Sequence, residues 1–395
     1  MSLRTHARDL GVAARLAARA WRRRLSRPRA AAELPDQADW RAGLEAWLRS
    51  LPDGVVADHR WVELPATRPP WTDSGCHLQP GDVVTWFATG RVYLSRALDL
   101  WVPPSFQLWG RVGPAGPIFR GTRATHTVEA TSGGPLQLAS YFPGEWATTD
   151  GTLGAGADDY DRVSGGMTVL LVRWSPGVDV ARQMQAADGP EPVRAEAARL
   201  ATLVRPPDGW GYLWYLGPGE IFRAGVPLPS GQPTVCCDTH GDVGILRRPA
   251  HVPLEPDVTL HWRWRMETLP ADLREDTLPS HDYLSIAVEF DDGQDLTYYW
   301  SAALPVGTVY RCPLPTWKDK ETHVVVRSGT AGLGRWLDES RDLHADYHRM
   351  IGGPARSIVR VWLIANSLFL RGHGRCEYAA IEVRRGGGGE VVKVL

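Results

Sequence analysis

Histidine, arginine, tyrosine and glutamate alternate with apolar residues along several short segments of the C-terminal half of the chain. The segment "TLHWRWRM", residues 259–266, places Leu260 and Trp262 on one face of a strand and His261 and Arg263 on the other, because successive strand side chains point to opposite faces. Arginine binds carboxylates through paired hydrogen bonds, and aromatic rings stack on flat ligands. The pattern predicts a polar ligand-binding surface. Its residues are His261, Arg263, Arg265, Tyr283, Glu289, Tyr299, Arg327, Arg360 and Trp362.

Three residues of this half could also transfer protons. His323, Tyr283 and Glu289 are the candidates for general acid–base catalysis. A lyase, an isomerase or a natural-product cyclase, using this face or a cleft between domains, is therefore an alternative to simple binding. No G-x-S-x-G nucleophile elbow occurs, and polar residues of this kind are also typical of a solvated sheet face.

The elements that must position these residues are predicted to be strands. The chain has 395 residues with 41 Gly and 31 Pro, which interrupt it too often for long helices. Short alternating runs separated by turn residues indicate sandwiches. We therefore predict an all-β protein with two antiparallel β-sandwich (jelly-roll-like) domains, an N-terminal basic helix and a short linker helix.

The predicted domain boundaries follow changes in composition. A stretch rich in Ala, Arg and Glu with flanking prolines separates the two sets of strand-like runs and predicts the linker. The predicted segments are an N-terminal helical segment at 1–52, a first sandwich at 55–176, a linker at 177–212, a second sandwich at 213–385 and a Gly-rich tail at 386–395.

The first 29 residues contain nine Arg and one Asp. Apolar residues recur near helical spacing and predict a basic amphipathic helix. They are Leu10, Ala13, Ala17, Trp21 and Leu25. Residues 1–30 could contact an anionic membrane surface or an acidic partner, or could pack on the next domain through Trp21.

Charge and cysteine content exclude some other classes. The net charge is −1, so no overall field favours nucleic acid. The five cysteines are odd in number and form no CxxC motif, so neither a disulfide framework nor a zinc site is predicted. Reduced thiols, the absence of a signal-peptide pattern and the absence of a long apolar run lead us to expect a cytoplasmic protein.

The first predicted sandwich resembles a known family. The runs "WTDSGCHLQPGDVVTWFATGRV", "FQLWGRVGPAGPIF" and "SGGMTVLLVRW" are similar to the small bacterial calcium-dependent galactose-binding lectins and their jelly-roll relatives. The resemblance implies calcium held by an Asp and neighbouring Asn residues. Here the Asn pair is missing, and Asp158, Asp159 and Asp161 are the remaining oxygen ligands. We expect no cofactor, with calcium binding weak or absent.

The second predicted sandwich resembles the bacterial domain of unknown function 3047. The runs "HDYLSIAVEFDDG", "LTYYWS" and "VVVRSGTAGLGRWLDESRDLHADYHRMIGG" carry the resemblance, which implies a β-sandwich without an assigned activity. Members usually carry an Asp-x-Asp-Asn motif where this chain has Asn366 and Ser367. An acidic site at that position is therefore expected to be absent or altered.

Three classes of function remain open from the sequence. We favour a binding protein that recognises a carbohydrate or another polar or anionic small molecule. The alternatives are the enzyme described above and a structural or membrane-peripheral protein that acts through its basic helix. Fold resemblance alone does not decide among them.

Overall fold

The structure is a computed structural model that describes residues 3–26, 37–68, 71–141, 146–154, 156–186, 188–385 and 391–395. It is mostly β, with sandwich-forming antiparallel sheets and a helical N-terminal segment, which confirms the predicted fold class. The chain divides into two compact units. The first unit comprises residues 13–204, and the second comprises residues 205–395 together with residues 1–12.

The first unit is a two-sheet sandwich with helices. Its sheets have the strand orders β1-β9-β3-β4, with β7 also paired to β3, and β2-β8-β5-β6. The strands are β1 (Val56–Pro65), β2 (Thr72–Leu78), β3 (Val83–Ser95), β4 (Leu100–Val102), β5 (Leu108–Val112), β6 (Phe119–Arg120), β7 (Thr125–Glu129), β8 (Gly134–Ser140) and β9 (Ser164–Trp174). The helices are α1 (Leu3–Ser26), which begins in the second unit, α2 (Gln37–Ser50), α3 (Pro104–Gln107), α4 (Val180–Ala186) and α5 (Glu191–Ala201).

The five-stranded sheet of the first unit is buried on both faces. On β3, Trp86 faces the sandwich core and Phe87 faces the opposite side, where Trp40 and Trp47 of α2 pack. Apolar residues of α4 and α5 join the same outer cluster. Most of the predicted linker at 177–212 therefore packs onto the first sandwich, and the division between units lies at 204/205.

One carboxylate is buried where α5 meets β7. Glu196 accepts hydrogen bonds from Thr125 and Thr127, at 2.9 and 2.7 Å, and forms a 2.6 Å ion pair with Arg199. Burial alone would raise the pKa of Glu196, but the hydrogen bonds and charge of Arg199 lower it below its ordinary value. Glu196 is therefore an ionised group whose partners are all in place.

The basic helix α1 forms, but its buried face differs from the predicted one. Val12, Leu16 and Ala20 are buried, whereas Leu10 and Trp21 are 70% and 64% exposed. Ala17 is also exposed and Ala13 is intermediate, and the side chain of Leu25 lies outside the described residues. Among the described residues, no helix has the length and apolar character that a membrane crossing requires.

The second unit is a sandwich of a seven-stranded and a six-stranded sheet. Their strand orders are β10-β13-β20-β15-β16-β18-β17 and β11-β12-β21-β14-β19, with β22 paired to β21. The elements are β10 (Gly211–Tyr212), β11 (Phe222–Ala224), β12 (Thr234–His240), β13 (Val243–Pro253), β14 (Thr259–Thr268), β15 (Tyr283–Phe290), β16 (Asp295–Ser301), β17 (Val309–Arg311), β18 (Glu321–Ser328), β19 (Trp336–Asp342), α6 (Leu343–Met350), β20 (Ser357–Asn366), β21 (His373–Arg384) and β22 (Val391–Lys393). Of the predicted Gly-rich tail, β22 is described and 386–390 lie outside the described residues.

Aromatic residues hold the two sheets of the second unit together. Tyr298 and Trp300 of β16 point into the core and pack against Trp262 and Trp264 of β14, with ring centroids 5.8 and 5.9 Å apart. Strand alternation therefore turns Tyr299 to the outer face. The pairing of β16 with β18 is parallel, unlike the antiparallel pairs around it.

Candidate functional site

The predicted polar surface of the second unit is divided between its two sheets. Strand β14, which carries His261, Arg263 and Arg265, lies in the six-stranded sheet. The strands of the other predicted residues, β15, β16, β18 and β20, lie in the seven-stranded sheet. The expectation of one shared face is therefore wrong, because the polar sides of the two sheets point away from the common core. Whether any of these residues binds a ligand stays a prediction.

The outer face of the six-stranded sheet is a half-exposed surface of cross-strand pairs. Arg263 lies opposite Asp338 in the ladder and makes a 2.9 Å ion pair with it. Arg265 pairs with Glu377 in the same manner on the other side of β14. His261 is hydrogen-bonded to Thr259 at 2.9 Å. These arginines already have carboxylate partners, which is typical of a solvated sheet face.

Arg327 points the opposite way from its predicted direction. A register shift between β16 and β18 places Arg327 opposite Trp300, whose side chain points into the core. An extra residue of this kind re-aims the side chains that follow it. Arg327 consequently reaches Glu339 of the other sheet, with 2.7 Å between Nε and the carboxylate.

Glu289, Arg360 and Trp362 do meet, as the alternation of their strands predicts. Glu289 lies opposite Arg360 in the ladder, and one guanidinium nitrogen donates to both carboxylate oxygens at 2.7 and 2.8 Å. The indole nitrogen of Trp362 donates to the same carboxylate at 3.0 Å. The network binds the carboxylate within the protein, and a role of Glu289 as a general base stays a prediction.

The central part of the outer face of the seven-stranded sheet is buried. Tyr299 and His323 are fully buried, and Tyr283 is 4% exposed. Tyr310 of β17 stacks on His323 with 5.0 Å between ring centroids and donates to the hydroxyl of Tyr299 at 3.0 Å. A substrate would have to enter the interior to reach His323 or Tyr283, which counts against the proton-transfer roles predicted for them.

Four donor groups converge in this buried region, and we call them the His–Cys–Glu cluster: His281, Cys312, Glu321 and His323. One ligand atom from each lies within 4.8 Å of the others. Glu321 and His323 are two residues apart on β18 and so share its outer face. His281 precedes β15 and Cys312 follows β17, and the chain brings both against that face.

The cluster is held in place by neighbouring groups. The Nδ1 atom of His281 is 2.6 Å from the carbonyl oxygen of Glu275, and its Nε2 atom is 3.3 Å from the sulfur of Cys312. One oxygen of Glu321 accepts from the hydroxyls of Tyr283 and Thr297, at 3.0 and 3.2 Å. The hydrogen bonds leave the second oxygen of Glu321 and the Nε2 atom of His281 directed at the centre of the cluster.

Burial sets the charges of the cluster. Burial and then the neighbouring His323 lower the pKa of His281 to about 3, so this imidazole is neutral. Burial, followed by the charge of Glu321, raises the pKa of Cys312 far above its usual value. Burial also acts to raise the pKa of Glu321, but the imidazoles of His323 and His281 lower it to about 2. The cluster thus combines a carboxylate, a protonated thiol and at least one neutral imidazole.

Sequence reasoning selected His323 and Tyr283 but missed His281, Cys312 and Glu321. The available signal was the spacing of Glu321 and His323, because Glu321 directly precedes the run "THVVVR" (322–327), whose alternation predicts a strand. Cys312 was set aside because no second cysteine stands near it in the sequence. The convergence depends on the parallel pairing of β16 with β18, which the alternation of single strands does not reveal.

The first unit contains an open cleft at one end of its five-stranded sheet, which we call the glycine cleft. It has a volume of about 420 Å³. Its polar side chains are Glu63, Thr89 and Thr168 from three neighbouring strands, with Gln37 at the start of α2, and its floor includes Gly90, Gly165 and Gly166. A β-carbon at Gly90 would lie 2.2 Å from the carbonyl oxygen of Gly166. The close approach of the strands explains why the floor lacks side chains.

The polar side chains of the glycine cleft lie in register. Thr168 is paired with Glu63 on one side and with Thr89 on the other. Its hydroxyl donates to Glu63 at 2.7 Å and accepts from the amide of Gln37. Arg41 donates to the other oxygen of Glu63. The arrangement lines the cleft with a carboxylate, an amide and two hydroxyls, and Thr89 and Thr168, which carry the hydroxyls, are 8% and 2% exposed.

The predicted calcium ligands are only partly described. Residues 158, 159 and 161 fall in a short 3-10 helix, Ala157–Arg162. The side chain of Asp161 is exposed and joins no group of metal-ligating residues within the described part of the chain. The side chains of Asp158 and Asp159 lie outside the described residues, so weak or absent calcium binding stays a prediction.

Comparison with solved structures finds chains that are similar to this one at low TM-scores. A chain titled "EclA N-terminal domain; PllA-like lectin" is 15% identical, covers 31% of this chain and 99% of its own length, and has a TM-score of 0.23. The xyloglucanase domain of NopAA, a type three effector from Sinorhizobium fredii in complex with cellobiose, is 10% identical, covers 46% and 95%, and has a TM-score of 0.29. At these scores neither likeness carries an argument about function.

No curated protein matches the chain. A family model does match part of it, over residues 226–382. The matched stretch contains β12 to β20 and most of β21, including all four residues of the His–Cys–Glu cluster. The family model is that of the protein of unknown function DUF3047, and its match agrees with the resemblance in the sequence of the second sandwich.

Proposed function

We propose that the first unit binds a saccharide, or a similarly polyhydroxylated molecule, in the glycine cleft. The observation that carries the proposal is the row of Glu63, Thr168 and Thr89 across three adjacent strands at the rim of an open cleft. The proposal keeps the function favoured from the sequence but moves it from the second sandwich to the first.

The chemistry of the rim suits a ligand that carries several hydroxyl groups. An ionised carboxylate only accepts hydrogen bonds, whereas a threonine hydroxyl both donates and accepts. Each oxygen of Glu63 already accepts one hydrogen bond, from Thr168 or from Arg41, and each retains a second acceptor position. Glu63 could therefore accept from two ligand hydroxyls while Thr89 serves a third.

The size and openness of the cleft also support the proposal. Small-molecule sites commonly have volumes of about 300–1,000 Å³ and few, well-placed polar groups. The glycine cleft, at about 420 Å³, falls in that range. Fixed strands supply Glu63, Thr89 and Thr168, so binding requires little ordering of the protein.

Titration calorimetry of the full chain against a panel of monosaccharides and oligosaccharides tests the proposal. We expect at least one member to bind and Glu63→Gln to weaken that binding at least tenfold, which corresponds to about 1.4 kcal/mol. Thr168→Val should weaken it as well. Glu129→Gln is the matched control, because Glu129 is an exposed carboxylate on β7 of the same sheet and outside the cleft.

Two results would contradict the proposal. One is the absence of binding across the panel at millimolar sugar concentration. The other is binding that Glu63→Gln and Thr168→Val leave unchanged, which would place the saccharide site elsewhere in the protein.

A further inference from the structure

We propose that the His–Cys–Glu cluster of the second unit is a closed binding site for one divalent transition-metal ion, with zinc as the best match to its donors. The four ligands are His281, Cys312, Glu321 and His323. The site is separate from the saccharide site proposed above, which lies in the first unit, and either could exist without the other.

An unsatisfied buried histidine is the first observation in support. The side chain of His323 is fully buried, and within the described part of the chain neither ring nitrogen has a hydrogen-bond partner of acceptable geometry. Its Nε2 atom lies 3.3 Å from a carboxylate oxygen of Glu321. A buried polar group without a hydrogen bond is costly to folding and requires an explanation, such as a bound ion. A metal ion between the two residues would supply one.

The orientation of the other ligands is the second observation. Metal-binding histidines usually donate the N–H of the ring nitrogen that does not ligate to a carbonyl or carboxylate oxygen. His281 has this arrangement, because Nδ1 lies 2.6 Å from the carbonyl oxygen of Glu275 and Nε2 faces the cluster. Glu321 is likewise held through one oxygen by Tyr283 and Thr297. The outer groups of a metal site are therefore already in place.

The donor set indicates which metal is favoured. Imidazole, thiolate and carboxylate are all common ligands of zinc, and a site with four protein ligands is typical of a structural ion. Tetrahedral coordination at usual zinc distances places neighbouring nitrogen, oxygen and sulfur ligand atoms about 3.3–3.6 Å apart. The separations of Cys312 from His281 and of His323 from Glu321 are both 3.3 Å. These two separations are close to those that a tetrahedral zinc ion requires.

The charges of the site balance for a divalent ion. Binding would break the S–H bond of Cys312, form a metal–sulfur bond and release the proton to solvent. The thiolate of Cys312 and the carboxylate of Glu321 then offset the two positive charges of the ion, while the imidazoles ligate in their neutral form.

A second histidine group in the described part of the chain serves as a comparison. Asp238, His240 and His373 also bring ligand atoms together. Asp238 is half-buried and both histidines are exposed. Both histidines already contact the carboxylate of Asp238, at 3.1 and 2.9 Å. This group lacks the buried, unsatisfied donor that the His–Cys–Glu cluster contains.

Elemental analysis of the full chain, purified without a metal-affinity step, tests the proposal. We expect about one zinc per chain in the wild type and at least a tenfold lower content in Cys312→Ser. Cys236→Ser is the matched control, because Cys236 is a buried cysteine of β12 outside the cluster. His240→Gln controls for ion bound at the exposed group, and both controls should retain the zinc.

A second measurement applies to the wild type and does not depend on whether a variant folds. Removal of the ion with a strong chelator should lower the melting temperature, and zinc should restore it. Replacement of the ion by cobalt should produce a sulfur-to-cobalt absorption band, because Cys312 is a ligand. Tyr283→Phe should weaken metal affinity about 10–100-fold by releasing Glu321.

The proposal is overturned if the wild type contains no transition metal and takes none up from zinc or cobalt solutions. It is also overturned if the bound metal is lost in His240→Gln and retained in Cys312→Ser. Neither result would affect the saccharide proposal, whose variants and measurement belong to the first unit.

Discussion

The outer faces of the two sheets in the second unit have the same sequence pattern and different environments. Strand β14 places His261, Arg263 and Arg265 on a half-exposed face where each arginine pairs with a carboxylate. Strands β16 and β18 place Tyr299 and His323 on a face that is fully buried. Alternation therefore identifies the side of a strand that is turned away from the core, but it does not reveal whether another part of the chain covers that side.

The two outer faces differ in how their polar groups are paired. On the half-exposed face, Arg263 and Arg265 each form an ion pair with a carboxylate on a neighbouring strand. On the buried face, no described residue forms a hydrogen bond of acceptable geometry with His323, whose Nε2 atom lies 3.3 Å from a carboxylate oxygen of Glu321. An unsatisfied polar group costs more in the interior than at the surface, so the buried face is where a bound ion would contribute most to stability.

Of the substitutions that distinguish the two faces, Tyr299→Ala is expected to cause the largest loss in the free energy of unfolding. Removal of this fully buried ring, together with its hydrogen bond to Tyr310, should lower the free energy of unfolding by about 3–5 kcal/mol. Urea denaturation followed by tryptophan fluorescence measures it. A loss below about 1 kcal/mol would show that the face is open in solution and would remove the contrast between the sheets.

A smaller loss in the free energy of unfolding is expected where a buried carboxylate already has its hydrogen-bond and ion-pair partners. Glu196→Gln in the first unit leaves the guanidinium of Arg199 buried without its carboxylate, which should cost about 3 kcal/mol. Arg194→Gln on the same helix is a control, because Arg194 is exposed and, among the described residues, donates to a backbone carbonyl rather than to a carboxylate.

The same carboxylate predicts a pH dependence. The folded-state pKa of Glu196 lies below its ordinary value, so its contribution to stability is full above about pH 4.3, the usual pKa of an unfolded glutamate. That contribution should decline as the pH falls from there through the folded-state pKa. Denaturation curves of the wild type and Glu196→Gln should therefore converge in acid, and curves that stay parallel would contradict the assignment.

The sequence predicted the strands well but not all the directions of their side chains. Tyr298 and Trp300 share a face and Tyr299 takes the other, as simple alternation requires. Arg327 breaks the rule because a register shift precedes it, and such a bulge has no clear signal in "THVVVR". In helix α1 the larger apolar residue Trp21 suggested a buried face, but tertiary packing buries Leu16 instead.

The buried cluster shows why a site is harder to predict than a fold. Its residues lie up to 42 positions apart in the chain, from His281 to His323, and they meet because β16 and β18 are parallel neighbours. Strand order depends on contacts between segments distant in sequence, which a pattern within one segment does not contain. The row of Glu63, Thr168 and Thr89 in the first unit was missed for the same reason, because it crosses three strands.

The smallest effect is expected on the exposed face, where Arg263→Ala should change the free energy of unfolding by less than about 1 kcal/mol. The side chain of Arg263 is 33% exposed and its partner Asp338 is 73% exposed, so solvent screens the pair and replaces the lost contact. Added salt should have little further effect on the variant, because its ion pair is already absent. Urea denaturation at low and high salt measures both quantities. A loss comparable to that of Tyr299→Ala would mean that something covers this face as well, and the difference between the two sheets would no longer hold.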